Sequence, residues 1–251
     1  MQYTLKKALG QHFLIDNNIS KAIAEQVAVL HPERLVEVGP GGGALTQYVM
    51  NIAPAFKAIE FDTEKVTYLI HTFPQLDGCI INDDFLTTPL PFTLPFVLVG
   101  NFPYNISTQI VFKVLEWKEQ VPFMIGMFQK EVAERIAAKP HSKAYGILSV
   151  LTQAFYDVTY LMDVPPTAFN PPPKVDSGVI MLKRKDTFPE MFSEARFYQL
   201  VKVAFGQRRK MLRNPLKGFF SQEFLNDPIF TKRAENLTFD DYAALTFKMH
   251  Q

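Results

Sequence analysis

The run Leu35-Val36-Glu37-Val38-Gly39-Pro40-Gly41-Gly42-Gly43-Ala44-Leu45-Thr46 restricts this chain more than any other stretch. An apolar strand passes directly into four glycines within five positions, and then into a helical pattern reaching about Met50. A tight strand-to-helix turn accounts for one or two glycines but is strained by four. Glycine lets the backbone approach a bound molecule closely, and the helix that follows presents N–H groups without intrahelical partners. The spacing Gly39-x-Gly41-x-Gly43 departs from the G-x-G-x-x-G of pyrophosphate-binding loops, because Ala44 and Leu45 follow Gly43. A ligand without phosphates fits that difference.

Strands and helices then alternate, which predicts an α/β fold. The second strand, Ala55 to Glu60, ends on an acid, the place where a carboxylate commonly accepts ribose hydroxyls. Glu60 is therefore a ribose candidate, against the plainer reading of a solvated strand end. Helical pattern returns around Val66, Leu69 and Ile70, and a third strand, Cys79 to Asn82, leads into Asp83-Asp84-Phe85. Asp84 suits a hydrogen bond from an adenine amine and Phe85 suits covering the ring, although either aspartate is equally a turn or cap residue. Phe96 to Val99 reads as a buried strand that stops at Gly100 and hands over to Asn101-Phe102-Pro103-Tyr104.

In open α/β sheets such a strand end faces the ligand crevice. Pro103 pushes Phe102 to extended geometry, leaving a carbonyl that no helix ties up. The Asn101 amide oxygen beside it gives two acceptors, which suit the two hydrogens of an exocyclic amine. Two fixed acceptors on an adenine N6 concentrate its delocalised lone pair toward an electrophile, a gain realised as the transition state forms. Tyr104 adds a face on which a base can stack. The alternative is a strand ending in a proline turn, with Tyr104 in the core.

Elsewhere, Ile19, Ile23, Val27 and Leu30 predict a first helix capped by Asp16 or Asn17, and by pattern alone His12 is a surface or capping histidine. A helix is expected from Ser107, as cap, to Trp117, a strand over Phe123 to Phe128, and a helix over Val132 to Ala137. Lys139 to Ala144 reads as a basic loop, Tyr145 to Ala154 as a helix, and Val158 to Val164 as a strand. Pro165 to Pro173 is expected to continue no regular element; its rigidity suits holding Phe169 at the mouth of the site opposite Tyr104, or else Phe169 is core. Val175 to Leu182 is the last expected strand. A composition shift at Arg184 to Phe188 places a boundary there, giving domains 1–184 and 185–251, the second of them helical.

A chain of 251 residues with 47% apolar and 20% charged residues is an ordinary globular one. No run approaches a membrane span and Met1 to Gly10 lacks the apolar core of a signal peptide, so a cytoplasmic location is the expectation. The single cysteine, Cys79, is expected in the core, and neither it nor the five histidines offer metal-ligand spacing. The net charge is only +1, yet Phe197 to Phe220 holds Lys202, Arg208, Arg209, Lys210, Arg213 and Lys217 with no acid. Positive charge so localised is expected where a phosphate backbone docks.

With these stretches in hand, the chain resembles the ribosomal RNA adenine dimethyltransferases. The resemblance rests on LGQHFLID (Leu9 to Asp16), EVGPGGGALT (Glu37 to Thr46), IEFD (Ile59 to Asp62), NDDFL (Asn82 to Leu86), GNFPYNIS (Gly100 to Ser107), QKEVAERI (Gln129 to Ile136), SKAYGILSV (Ser142 to Val150), PPPKVDS (Pro171 to Ser177) and FGQRRKMLRNPL (Phe205 to Leu216). It implies a Rossmann-like class I methyltransferase sheet with a small all-helical C-terminal domain. It also implies S-adenosylmethionine as methyl donor without a metal, and dimethylation of N6 on two adjacent adenosines near the 3′ end of 16S rRNA within a 30S precursor, by a monomer without membrane association. By motif, His12 and Leu14 fall at the methionine end, Gly39 and Gly41 in the glycine loop, Glu60 on the ribose, Asp84 and Phe85 at the cofactor's adenine, and Asn101 and Phe102 at the reacting amine. The resemblance also implies that Tyr104 and Phe169 hold the target base. Phe102 stands where leucine is common, and His12 where asparagine is. The competing readings are a large-subunit rRNA methyltransferase of the macrolide-resistance type, a non-catalytic RNA-binding assembly factor, and a nicotinamide-dependent dehydrogenase, which the glycine spacing disfavours.

Overall fold

The structure, a computed structural model, describes residues 12–250; Leu9, Gly10 and Gln11 of the first motif lie outside them. Its strands are β1 (Phe13–Leu14), β2 (Arg34–Val38), β3 (Ala55–Ile59), β4 (Ile80–Ile81), β5 (Val97–Asn101), β6 (Phe123–Gln129), β7 (Tyr156–Val164), β8 (Phe169–Asn170) and β9 (Ser177–Arg184). The α-helices are α1 (Asn17–Ala28), α2 (Thr46–Val49), α3 (Thr63–Thr72), α4 (Ser107–Glu116), α5 (Lys130–Ala137), α6 (Ile147–Phe155), α7 (Glu194–Gly206) and α8 (Phe239–Leu245). No described helix is long and apolar enough to cross a membrane.

Seven strands form one sheet in the order β4-β3-β2-β5-β6-β9-β7. β4, β3, β2, β5 and β6 run parallel, and β9 returns antiparallel to β6. The chain winds outward from β2 to β4 and then restarts beside β2 with β5, so the order reverses between β2 and β5. Ligands of open α/β sheets bind at that reversal, beyond the carboxyl ends of the strands. Leu35 pairs with Val97 and Glu37 with Val99, a register that brings the glycine loop and Asn101 side by side.

Alternation along the strands sends Leu35, Val97, Val99, Ile125 and Met127 into one core cluster with Ile23, Ala24 and Val27 of α1. The Asp16 side chain accepts from the Asn18 N–H and caps that helix. Ser107 does not cap α4: it is the first helical residue, buried, and its hydroxyl donates to the Tyr104 carbonyl at 3.1 Å. That bond braces the turn after β5. Cys79 is half-buried and not in the core cluster, because β4 is short and lies at the sheet edge.

The proline-rich stretch is more ordered than proline content suggests. Pro166–Ala168 makes a 3₁₀ turn, and β8 pairs antiparallel with β1, Leu14 opposite Phe169.

The chain divides into two compact units, 1–133 with 158–184, and 134–157 with 185–251. The second takes Glu134–Asp157, which composition had left with the first. α6 explains it: Leu148, Leu151 and Phe155 are buried, and Phe155 meets the Phe197 ring of α7 edge-on at 6.4 Å. Besides α6, α7, α8, the end of α5 and the start of β7, the described residues of this unit form turns, short 3₁₀ segments and irregular connections.

Candidate functional site

The carboxyl ends of β2, β3, β4 and β5 surround a cavity of about 280 Å³, close to the size range of small-molecule sites. Its wall holds Gly39 and Gly41 after β2, Glu60 after β3, Asp84 after β4, Asn101, Phe102 and Tyr104 at the end of β5, and His12 and Leu14.

Gly41 sits at φ +57, in the left-handed region where a side chain is strained, and its N–H donates to Glu60 Oε2 at 3.1 Å. Glu60 Oε1 accepts from the Asp62 N–H at 2.9 Å. Each carboxylate oxygen has two lone pairs, so Glu60 is fixed in orientation with acceptor capacity left for a ligand. Asp84 Oδ1 closes a local turn onto the Leu86 N–H at 2.9 Å, while Oδ2 has no partner among the described residues.

Glu37 is the residue that sequence reading passed over. Its side chain lines the cavity at 1% exposure, and Oε2 has no hydrogen-bond partner. Burial raises its pKa to about 8, with the charge of Glu60 adding to the rise and the Thr46 hydroxyl opposing it, although no hydrogen bond to Thr46 closes. An acid amid apolar strand residues is itself a signal of a buried polar requirement. Above about pH 4.5 the unfolded chain ionises Glu37 while the folded protein keeps it protonated. The Glu37 contribution to stability therefore falls with rising pH up to about 8, by at most about 1.4 kcal/mol per unit. Glu37→Gln is expected to flatten that part of the profile in urea unfolding measured at pH 5 to 8.

Phe102 explains how Asn101 is placed. Gly100 of β5 and Gly126 of β6 face each other across the sheet, and the Phe102 ring lies against both: a Cβ on Gly126 would stand 2.2 Å from Phe102 Cε2, and one on Gly100 2.6 Å from Cε1. Phe128 closes the edge at 5.0 Å. The side chain is thus buried as an anchor. The Phe102 N–H donates to the Met127 carbonyl at 3.2 Å, whereas its own carbonyl and the Asn101 amide have no partner among the described residues.

Tyr104 forms the adjoining wall. Its hydroxyl is 2.6 Å from Ser177 Oγ, and burial raises its pKa, the Ser177 bond opposing. The His12 ring lies 5.6 Å from that of Tyr104, and its Nδ1 donates to the Pro171 carbonyl at 2.8 Å, which fixes the tautomer because a carbonyl only accepts.

Two expected site residues stand elsewhere. Phe169 is 3% exposed within the core cluster and does not line the cavity, because pairing with Leu14 turns it inward. Phe85 is buried with its ring 5.3 Å from Trp117, and Leu86 takes the cavity position. Lys202, Arg208, Arg209, Lys210, Arg213 and Lys217 all belong to the second unit, where Arg208 is drawn into a salt bridge with Glu235 at 3.3 Å. Ser177 and Gly126 carried no sequence signal beyond residue type.

Besides the protonated Glu37, three acids, Glu60, Asp62 and Asp84, line the cavity, and Lys65 is the one lysine or arginine among the described residues that do. That balance suits a cationic, hydroxyl-bearing nucleoside and opposes a pyrophosphate. Among the described residues no group of His, Cys, Asp and Glu is arranged to hold a metal.

Comparison with known proteins agrees with this chemistry. A family profile described as ribosomal RNA adenine dimethylase matches residues 2–248. The chain is 48% identical to the ribosomal RNA small subunit methyltransferase A of Flavobacterium johnsoniae, over 97% of this chain and 95% of that one. It is 50% identical to the protein of the same name from Cytophaga hutchinsonii, over 96% and 95%. Among solved structures, a dimethyladenosine transferase from Plasmodium falciparum superposes with a TM-score of 0.75 at 24% identity, covering 92% of this chain and 94% of that one. The 23S rRNA methyltransferase ErmE gives 0.73 at 24% identity, covering 95% and 100%. These two show the same α/β fold.

Proposed function

Since this chain belongs to the ribosomal RNA adenine dimethylase family, we propose that it methylates N6 of two adjacent adenosines near the 3′ end of 16S rRNA, twice each, on a small-subunit precursor in the cytoplasm, acting as a monomer. The observation that carries the reading is a pair of acceptors with no partner among the described residues, the Asn101 amide oxygen and the Phe102 carbonyl, at the sheet's reversal point and in one cavity with the glycine loop and Glu60.

S-adenosylmethionine fits the residues present: Glu60 would take its ribose hydroxyls, Asp84 Oδ2 its adenine amine and Leu86 its adenine face, and the protonated Glu37, with Oε2 orphaned, leaves a buried hydrogen-bonding group for it. His12 and Leu14 lie toward the methionine end, and Gly39 and Gly41 let the loop close on the ligand. When bound, it supplies an electrophilic methyl carbon. The protein's own contribution is positioning. Asn101 and Phe102 accept the two amine hydrogens and favour a more tetrahedral nitrogen whose lone pair points at the donor. Tyr104, held by Ser177, keeps an unstacked purine in plane for that attack.

Two assays test this. With radiolabelled cofactor, transfer to small-subunit precursor particles is expected and transfer to naked large-subunit rRNA is not; transfer only to the latter would move the assignment to the macrolide-resistance type. Ser177→Ala is expected to slow methyl transfer about fivefold, the worth of one ordinary hydrogen bond, with cofactor affinity unchanged in calorimetry. Ser177→Thr, which keeps the hydroxyl, is expected to retain the rate.

A further inference from the structure

Within the second unit, the loop following α5 is fastened to the basic stretch that follows α7. The His141 N–H donates to the Glu235 carbonyl at 2.8 Å, and the His141 ring meets the Asn236 amide at 3.0 Å. Arg208 bridges the pieces: its Nε pairs with Glu235 Oε2 at 3.3 Å, and its Nη2 donates to the Ser142 carbonyl at 3.2 Å. On the other side, the Leu212 N–H donates to the Lys232 carbonyl at 2.9 Å, and Met211 pairs with Arg233 as an antiparallel bridge.

Three segments far apart in sequence, 139–145, 207–217 and 231–233, are thereby laid side by side. None contains an acid. The neighbouring carboxylate, Glu235, is neutralised by Arg208. Lys139, Lys143, Arg209, Lys210, Lys232 and Arg233 are all exposed. Folding thus gathers cations from three places while turning the intervening arginine inward as a clamp, an arrangement of no evident use to the unit's own stability, since like charges brought together repel.

We propose that the 139–144 loop is a phosphate-contacting element, joined by the Arg208–Glu235 clamp to the 209–217 stretch as a single RNA-docking face. The proposal rests on the rRNA-methylating reading above and extends it to Lys139, Lys143, Lys232 and Arg233. Arg208 organises the face and does not itself contact phosphate.

The test is the salt dependence of binding to a 16S rRNA transcript. Each phosphate contact removed lowers the slope of log affinity against log salt by about 0.7 to 0.9. Lys139→Gln/Lys143→Gln is expected to lower it by about 1.4 to 1.8, as is Arg209→Gln/Lys210→Gln, with thermal midpoints unchanged because all four side chains are exposed. If the loop variant keeps the wild-type slope while the Arg209/Lys210 variant loses it, the loop is no contact, and the RNA-binding reading of the unit stands without it. If both keep the wild-type slope, as they would were an acidic protein the occupant of this face, that reading and the loop proposal fall together.

Discussion

Replacing Asn101 with alanine is expected to slow single-turnover methyl transfer by a hundredfold or more, while S-adenosylmethionine affinity by calorimetry changes by less than about tenfold. The size follows from the role: a preorganised group matched to the transition state contributes about 2.7 to 4 kcal/mol at an enclosed site. Asn101 has no structural hydrogen bond to lose, since its amide has no partner among the described residues. Its removal therefore spares the fold and strikes the reacting amine alone. The Phe102 carbonyl remains as the second acceptor, which predicts a measurable residual rate. A wild-type rate in Asn101→Ala would end the assignment.

Gly126→Ala is expected to be nearly as damaging from beneath the site. The added methyl would meet Phe102 Cε2 at 2.2 Å, and the ring has little room to retreat between Gly100 and Phe128. Overpacking of this kind costs about 1 to 3 kcal/mol, which for a chain of this length lowers the thermal midpoint by several degrees. Displacing Phe102 also displaces the acceptor pair, and a shift of about 1 Å at reacting groups costs on the order of a hundredfold in rate. Phe102→Leu in the Gly126→Ala background relieves the clash and is expected to restore both stability and rate in part. No recovery in the double variant would show that the ring does not transmit the defect.

The cavity was legible where local chemistry sets it. Four glycines after a strand, an acid closing the next strand and Asn-Phe-Pro-Tyr closing another each declare a strand's carboxyl end, and the sheet brings such ends together whatever the details of packing. Side-chain direction was less legible. Phe169 was expected at the mouth, but its direction depends on pairing with Leu14, far away in sequence. Phe85 and Leu86 are neighbours, and which of them faces the cavity is set by the Asp84 turn onto the Leu86 N–H. Arg208 looked like any other cation in its run, since nothing local reveals Glu235 and Ser142 waiting for it. The domain limits failed for the same reason at one end: α6 precedes β7 in the chain but shares a core with α7.

The same placement makes Asn101 and Phe102 measurable directly. A crystal structure with S-adenosylhomocysteine and adenosine is expected to put the adenosine N6 at hydrogen-bond distance, about 2.7 to 3.2 Å, from both the Asn101 amide oxygen and the Phe102 carbonyl, with Tyr104 against the purine face. An N6 amine bonded elsewhere, with those two oxygens turned from the base, would contradict the central claim.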